Sequence, residues 1–133
     1  MKKKGLVGLA ILIMGVVLCT FVQATTYYVA TSGSDNSPGT EALPWKTIQH
    51  AADNASTSAL IIVKPGTYAE HVKTKYNGTD DANRIIFKAN GKVTMRGFDI
   101  SNPYITIDGF DITNYSGAWS YYIYVSSNGH HCK

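Results

Sequence analysis

Val93–Asn102 reads VTMRGFDISN, and twelve positions later Ile105–Asn114 reads ITIDGFDITN. Six pairs are identical: Thr94/Thr106, Gly97/Gly109, Phe98/Phe110, Asp99/Asp111, Ile100/Ile112 and Asn102/Asn114. Val/Ile, Met/Ile and Ser/Thr are like-for-like exchanges, and only Arg96/Asp108 changes character. A unit this short cannot bury its own apolar face, so it must lie against neighbouring segments, as stacked strands in repeat proteins do. Within each copy apolar residues alternate, Val93 and Met95 or Ile105 and Ile107 before the glycine, Phe98 and Ile100 or Phe110 and Ile112 after it. Such alternation places one side of a strand inward. Gly97 and Gly109 then read as corners, because glycine reaches backbone angles closed to other residues and lets the strand turn while its apolar side chains stay inside.

Working outward, Ile61–Lys64 (IIVK) is echoed by Ile85–Lys88 (IIFK) at an offset of 24, twice the short repeat, which hints at a coil of about that length. Leu60–Val63 is a wholly apolar run ended by Pro65-Gly66-Thr67-Tyr68, the pattern of a strand covered on both faces and then a tight turn. Thr25–Thr31 (TTYYVAT) is β-branched and aromatic and leads into the turn formers Ser32–Thr40. Between them, Trp45–Ala55 places Trp45, Ile48, Ala52 and Ala55 at helical spacing with Lys46, Gln49 and Asp53 opposite, predicting one short amphipathic helix. Tyr121–Val125 is the next expected strand and Ser126–Gly129 the next turn. The chain then reaches Lys133 with no sign of the atypical last repeat that repeat proteins use to cover open edges, so it is expected to be the N-terminal part of a longer protein.

The first residues have a different purpose. Lys2–Lys4 form a positive leader, Leu6–Leu18 is apolar, and Val22-Gln23-Ala24 offers small residues for cleavage after Ala24, so residues 1–24 are expected to be a signal peptide and the protein secreted, periplasmic or on the cell surface. Removing them takes three lysines from the 12 basic residues, leaving 9 against 9 acidic ones. A neutral mature chain without a basic stripe argues against nucleic acid as partner, and no stable membrane association is expected after cleavage. Cys132 is then the one cysteine left, so no internal disulfide forms.

Tyr27-Tyr28-Val29-Ala30, Ser32-Gly33-Ser34-Asp35, Pro38-Gly39-Thr40, Pro44-Trp45, Thr47-Ile48-Gln49, Ala51-Ala52, Ile62-Val63 and Pro65-Gly66-Thr67-Tyr68 together resemble the opening of secreted, pectate-lyase-like right-handed parallel β-helix proteins. The resemblance covers Thr25 to about Asn128. It implies an all-β solenoid in three parallel sheets. Residues 25–59 would supply the first strand, loop and capping helix, and 60–133 the first rungs of an incomplete β-helix. It also implies a polysaccharide lyase cleaving uronic-acid-rich glycan by β-elimination, with a noncatalytic glycan-binding or adhesive β-helix as the alternative. In the calcium-dependent lyases aspartates hold a cation against the uronate carboxylate, and a lysine or arginine removes the acidified C5 proton, which requires that base to be neutral. Calcium is therefore the cofactor expected for the full-length protein, acidic polysaccharide its partner, and this segment alone is expected to be inactive.

Candidate residues follow from that chemistry. Asp99, Asp108 and Asp111 stand on or beside successive strands, with Lys64, Lys88 and Arg96 as basic candidates, although outward strand positions carry charge whatever the function. Asn102 and Asn114 suit amide ladders at coil turns. His130, His131 and Cys132 have the composition of a metal site, but adjacent strand residues point to opposite faces. His50 and His71 are isolated. Tyr115, Trp119, Tyr121, Tyr122 and Tyr124 offer aromatic faces to sugar rings, Trp119 and Tyr115 being the substrate-binding candidates. Asn54-Ala55-Ser56, Asn77-Gly78-Thr79 and Asn114-Tyr115-Ser116 match the glycosylation sequon.

Overall fold

The computed structural model describes residues 23–113 and 123–133. Residues 1–22, where a signal peptide is expected, and Asn114, Tyr115, Trp119, Tyr121 and Tyr122 lie outside the described residues. In order, the elements are β1 (Thr26–Val29), α1 (Ile48–Asn54), β2 (Leu60–Val63), β3 (Gly66–Lys73), β4 (Ile85–Ala89), β5 (Val93–Ile100), β6 (Ile105–Asp108), β7 (Asp111–Ile112) and β8 (Ile123–Val125). All strand pairs are parallel and fall in two sheets, one ordered β1-β2-β4-β6 and one ordered β3-β5-β7 with β8 also on β5. From β2 to β7 the chain alternates between the sheets. Among the described residues no helix is long and apolar enough to cross a membrane.

The core lies between the sheets. Val29, Ile61, Val63, Ile85, Phe87 and Ile105 enter from the first, and Tyr68, Val72, Val93, Met95, Phe98 and Ile100 from the second. Phe98 links the levels, tilted against Phe87 at 5.4 Å between ring centres and edge-on to Phe110 at 5.3 Å.

The duplicated segments pair only in part and out of the repeat's register, Asp111 and Ile112 of the second copy lying against Thr94 and Met95 of the first. The first copy is β5, in the second sheet; the other is divided between β6 in the first sheet and β7 in the second. What they share is the glycine. In β5 the buried positions are Val93, Met95 and Gly97 and then Phe98 and Ile100, so the inward phase switches at Gly97, whose φ is 148°. In the other copy Ile105 is buried and Ile107 half-buried on odd positions, Phe110 and Ile112 are half-buried on even ones, and Gly109 at φ 78° makes the switch. β3 answers the change with a register shift between Tyr68 and His71. The level beyond β5 is split, β7 pairing with Thr94 and Met95 and β8 with Phe98–Ile100. The three expected sheets thus resolve as two, the second interrupted at the glycine level.

The echo of Ile61–Lys64 in Ile85–Lys88 is real but two residues off, since Ile61 pairs with Phe87 and Val63 with Ala89. A shift of two keeps the same face inward, so the apolar pattern survives it. Pro65 is the corner, and Gly66-Thr67-Tyr68, expected as a turn, already belong to β3. β2 is fully buried only at Ile61 and Val63, its other face being half-covered.

Helix α1 begins three residues later than its apolar spacing predicts. Thr47 is its N-cap (φ −115°, ψ 143°), its hydroxyl accepting from His50 N at 3.2 Å. Asp35 Oδ1 accepts from Lys46 N at 2.9 Å and Thr47 N at 3.0 Å, its Oδ2 accepts from Thr47 Oγ1 at 2.9 Å, and Glu70 accepts from Ile48 N and Gln49 N at 3.2 and 2.9 Å. Two carboxylates thus satisfy the unpaired N–H groups of the first turn. Trp45 lies outside the helix and bridges Val29 as strand. It stacks on Tyr27 (4.6 Å), meets His50 edge-on (5.0 Å) and donates Nε1–H to Ser37 O at 2.7 Å. At Gly39 (φ 77°) a Cβ would come within 2.6 Å of the Trp45 ring, so both backbone angle and space require glycine there.

Candidate functional site

The outer faces of the strands hold the charged candidates, and the register decides which meet. Lys88 and Asp108 are direct partners across β4 and β6, with Nζ 4.0 Å from Oδ2 and both side chains 57% exposed. Lys64 reaches Glu41 O at 3.2 Å and lies 5.9 Å from the Tyr28 ring centre. On the second sheet Asp99 is opposite Lys73 and Tyr124 and accepts from Ser101 Oγ at 3.3 Å, while Asp111 is opposite Thr94. Asp108 and Asp111 leave opposite sides of the Gly109 corner, on different sheets. Among the described residues no three His, Cys, Asp or Glu side chains converge to hold a metal ion. Arg96 is half-buried in β5 and His71 exposed in β3, opposite Gly97.

The C-terminal histidines are packing groups. His131 stacks on Tyr104 at 5.0 Å with planes 3° apart, His130 meets both rings edge-on, and Cys132 Sγ lies 3.5 Å from Asn102 O. Arg84, only 7% exposed, lies 5.7 Å from the Tyr104 ring centre, donates to His131 O and pairs with Asp81. That guanidinium holds the Asp81 carboxyl below the usual carboxylate range. Beneath this cluster the expected amide ladder exists with a different partner. Asn102 Nδ2 donates to Asn77 Oδ1 at 3.0 Å, and Asn102 Oδ1 accepts from buried Thr74 Oγ1 at 2.8 Å.

Sequence reasoning passed over a cavity of about 530 Å³ between the C-terminal end of α1 and the turn after β3. Asp53, Asn54 and Ser56 line one wall, Tyr76, Asn77 and Thr79 the other. Thr57 Oγ1 ties the walls by donating to Asn77 O at 3.3 Å. Gly78 is its buried floor, where a Cβ would stand 2.7 Å from Tyr104 Cβ. Tyr76, 43% exposed, has the Lys75 ammonium 5.2 Å from its ring centre. The available signal was an aromatic residue within a polar segment, Lys75-Tyr76-Asn77-Gly78, next to two of the glycosylation sequons, Asn54-Ala55-Ser56 and Asn77-Gly78-Thr79, which say nothing of a cavity.

Residues 31–78 match a family described only as a protein of unknown function, DUF1565. Uncharacterized protein YwoF of Bacillus subtilis (strain 168) is 34% identical over 77 residues, or 56% of this chain, and the match spans 16% of that protein. Among solved structures, the complex of XylC with xylose is 46% identical over 53% of this chain and 11% of its own, with a TM-score of 0.52. A rhamnogalacturonan lyase is 20% identical over 67% of this chain and 28% of its own, with a TM-score of 0.57, a likeness of fold alone. The described residues are therefore mostly β, parallel-stranded, with one short helix, and the match spans about one-sixth of the length of the curated relative.

Proposed function

We propose that this chain forms the helix-capped first coils of a right-handed parallel β-helix belonging to a longer, exported, polysaccharide-active protein. The observation that carries the reading is the alternation of parallel strands between two sheets around one apolar core, with α1 and the loop ending at Trp45 covering the first level. The XylC–xylose complex and the rhamnogalacturonan lyase support a glycan as partner, the first by sequence and fold and the second by fold. At the opposite end Lys133 N donates to Ile105 O at 3.0 Å and Ile107 N to Lys133 O at 2.8 Å, so Lys133 pairs alongside β6 as a parallel neighbour does.

Within that reading the activity is β-elimination of an acidic polysaccharide, with calcium bound and the base supplied by residues beyond the coils described. The Lys88–Asp108 pair is poorly suited to be that base and cation site, because both side chains are half-exposed and each faces the other. The test uses the longer gene product with polygalacturonate and with rhamnogalacturonan, following absorbance of the unsaturated sugar end with and without a calcium chelator. Chelator-sensitive product formation is expected. Retention of the protein on immobilised glycan with no unsaturated product would establish the noncatalytic, glycan-binding alternative, and neither signal would refute a glycan partner of these kinds.

A further inference from the structure

We propose that the cavity between the end of α1 and the turn after β3 is a subsite for a neutral pyranose sugar. The proposal deepens the glycan reading but rests on its own residues, which lie away from the outer strand faces that bear Lys88, Asp99, Asp108 and Asp111. A volume of about 530 Å³ is within the range of small-molecule sites, roughly 300–1,000 Å³.

A sugar presents hydroxyls that donate and accept at once and a ring face of C–H groups. Its recognition calls for planar polar side chains of both senses beside an aromatic ring. The cavity supplies them in fixed positions. Asn77 Oδ1 is taken by Asn102 Nδ2 at 3.0 Å, so its own amide NH₂ remains to donate. Asn54 Nδ2 donates to His50 O at 2.8 Å, which leaves Asn54 Oδ1 to accept. Asp53 Oδ1 accepts from Gln49 Nε2 at 3.2 Å, leaving its second oxygen. Because internal hydrogen bonds already hold these groups, less side-chain freedom is lost on binding. Tyr76 provides the ring, with Lys75 drawn to it by cation–π attraction. The one formal charge lining the cavity is the Asp53 carboxylate, which opposes a uronate and tolerates an uncharged sugar.

The experiment titrates the whole chain with xylose, galactose and galacturonate, following backbone amide NMR shifts and calorimetric heats. Xylose or galactose should shift Asn54, Asn77, Gly78 and Thr79, and galacturonate should bind more weakly. Tyr76→Ala removes an exposed ring and should weaken the neutral sugars about tenfold while leaving the thermal midpoint in place. Asp53→Asn should raise galacturonate affinity relative to xylose. No shift at these amides with either neutral sugar overturns the proposal, as does galacturonate binding equal to xylose in the unsubstituted chain, or Tyr76→Ala binding that remains unchanged in a folded variant. Failure of the longer protein to act on glycan would leave these titrations unaffected, so the two readings fail separately.

Discussion

The two ends of the strand stack are covered to different degrees within the described residues. At the helix end the edges of β1 and β3 each have partners. Tyr28 N donates to Gly39 O, Ala30 N to Trp45 O and Trp45 N to Tyr28 O at 2.8–2.9 Å, covering β1 with backbone. Gln49 covers β3 with a side chain, accepting from Lys73 N at 2.8 Å and donating to Lys73 O at 3.1 Å, so its amide stands where a neighbouring peptide group would. At the other end Ile123, Tyr124 and Val125 are 43%, 53% and 46% exposed, and a cavity of about 150 Å³ is lined by Ile100, Ile107, Ile123, Val125, Cys132 and Lys133. A helix finishes an edge by replacing both ladder and apolar neighbours, whereas an uncovered level leaves both to water. Stability should therefore be concentrated toward the helix.

The sharpest test of that asymmetry is a pair of aromatic truncations. Trp45→Ala removes a ring that is 6% exposed, its stack on Tyr27 and its bond to Ser37 O, and should cost about 3–5 kcal/mol by denaturant unfolding. Tyr124→Ala at the other end should change stability by less than about 0.5 kcal/mol. Equal losses would break the comparison. Next in size, Gln49→Ala strips the β3 edge of two hydrogen bonds and should cost about 1–2 kcal/mol. The Lys73 amide should then exchange with solvent faster than those of β5, and unchanged exchange there would show that the edge is sealed by something other than this amide.

What the sequence disclosed follows the range of the forces involved. β2 was legible because an apolar run bounded by Pro65 is a local signal, and the inward switch at Gly97 and Gly109 was legible because alternation changes phase there. The pairing of the two copies was not. Observed partners lie 26 residues apart between Ile61 and Phe87 and 20 between Ile85 and Ile105, so a twelve-residue repeat is shorter than one circuit, and its copies meet only where Asp111 and Ile112 lie against Thr94 and Met95. The helix start was hidden because Asp35, twelve residues upstream of Thr47, decides it. Asn102 bonds Asn77, while Asn114, its expected ladder partner, lies outside the described residues; Asn77 carries no repeat signature, and neither does Tyr76 in the cavity beside it. Trp119 and Tyr115, the aromatic candidates, fall outside the described residues, and the cavity's side chains are brought together by the turn after β3.

The helix end should also carry the acid sensitivity. Burial raises the Asp35 pKa, but the N–H groups of Thr47 and Lys46 and the Thr47 hydroxyl outweigh it and hold the carboxyl below its usual value. A carboxyl lowered in the folded state contributes stability above its unfolded pKa, about 3.9, and loses that contribution as pH falls through the folded value. The thermal midpoint should accordingly drop on acidification below about pH 4, and Asp35→Asn should flatten part of that drop. An unaltered pH profile in the variant would mean that Asp80, lowered by the Asn83 amide, or Asp81 carries the acid response instead.

The smallest effect belongs to the pair midway between the ends. Lys88 and Asp108 face each other across β4 and β6 at 4.0 Å, but both are half in water, where attraction between unit charges is weak and ordering two side chains offsets part of it. A double-mutant cycle with Lys88→Ala and Asp108→Ala should return a coupling of about 0–0.5 kcal/mol that fades in salt. A coupling above about 1 kcal/mol would show these outer-face charges to be organised more tightly than their exposure allows. Stability would then be shared along the stack, and the helix end would no longer be the anchor.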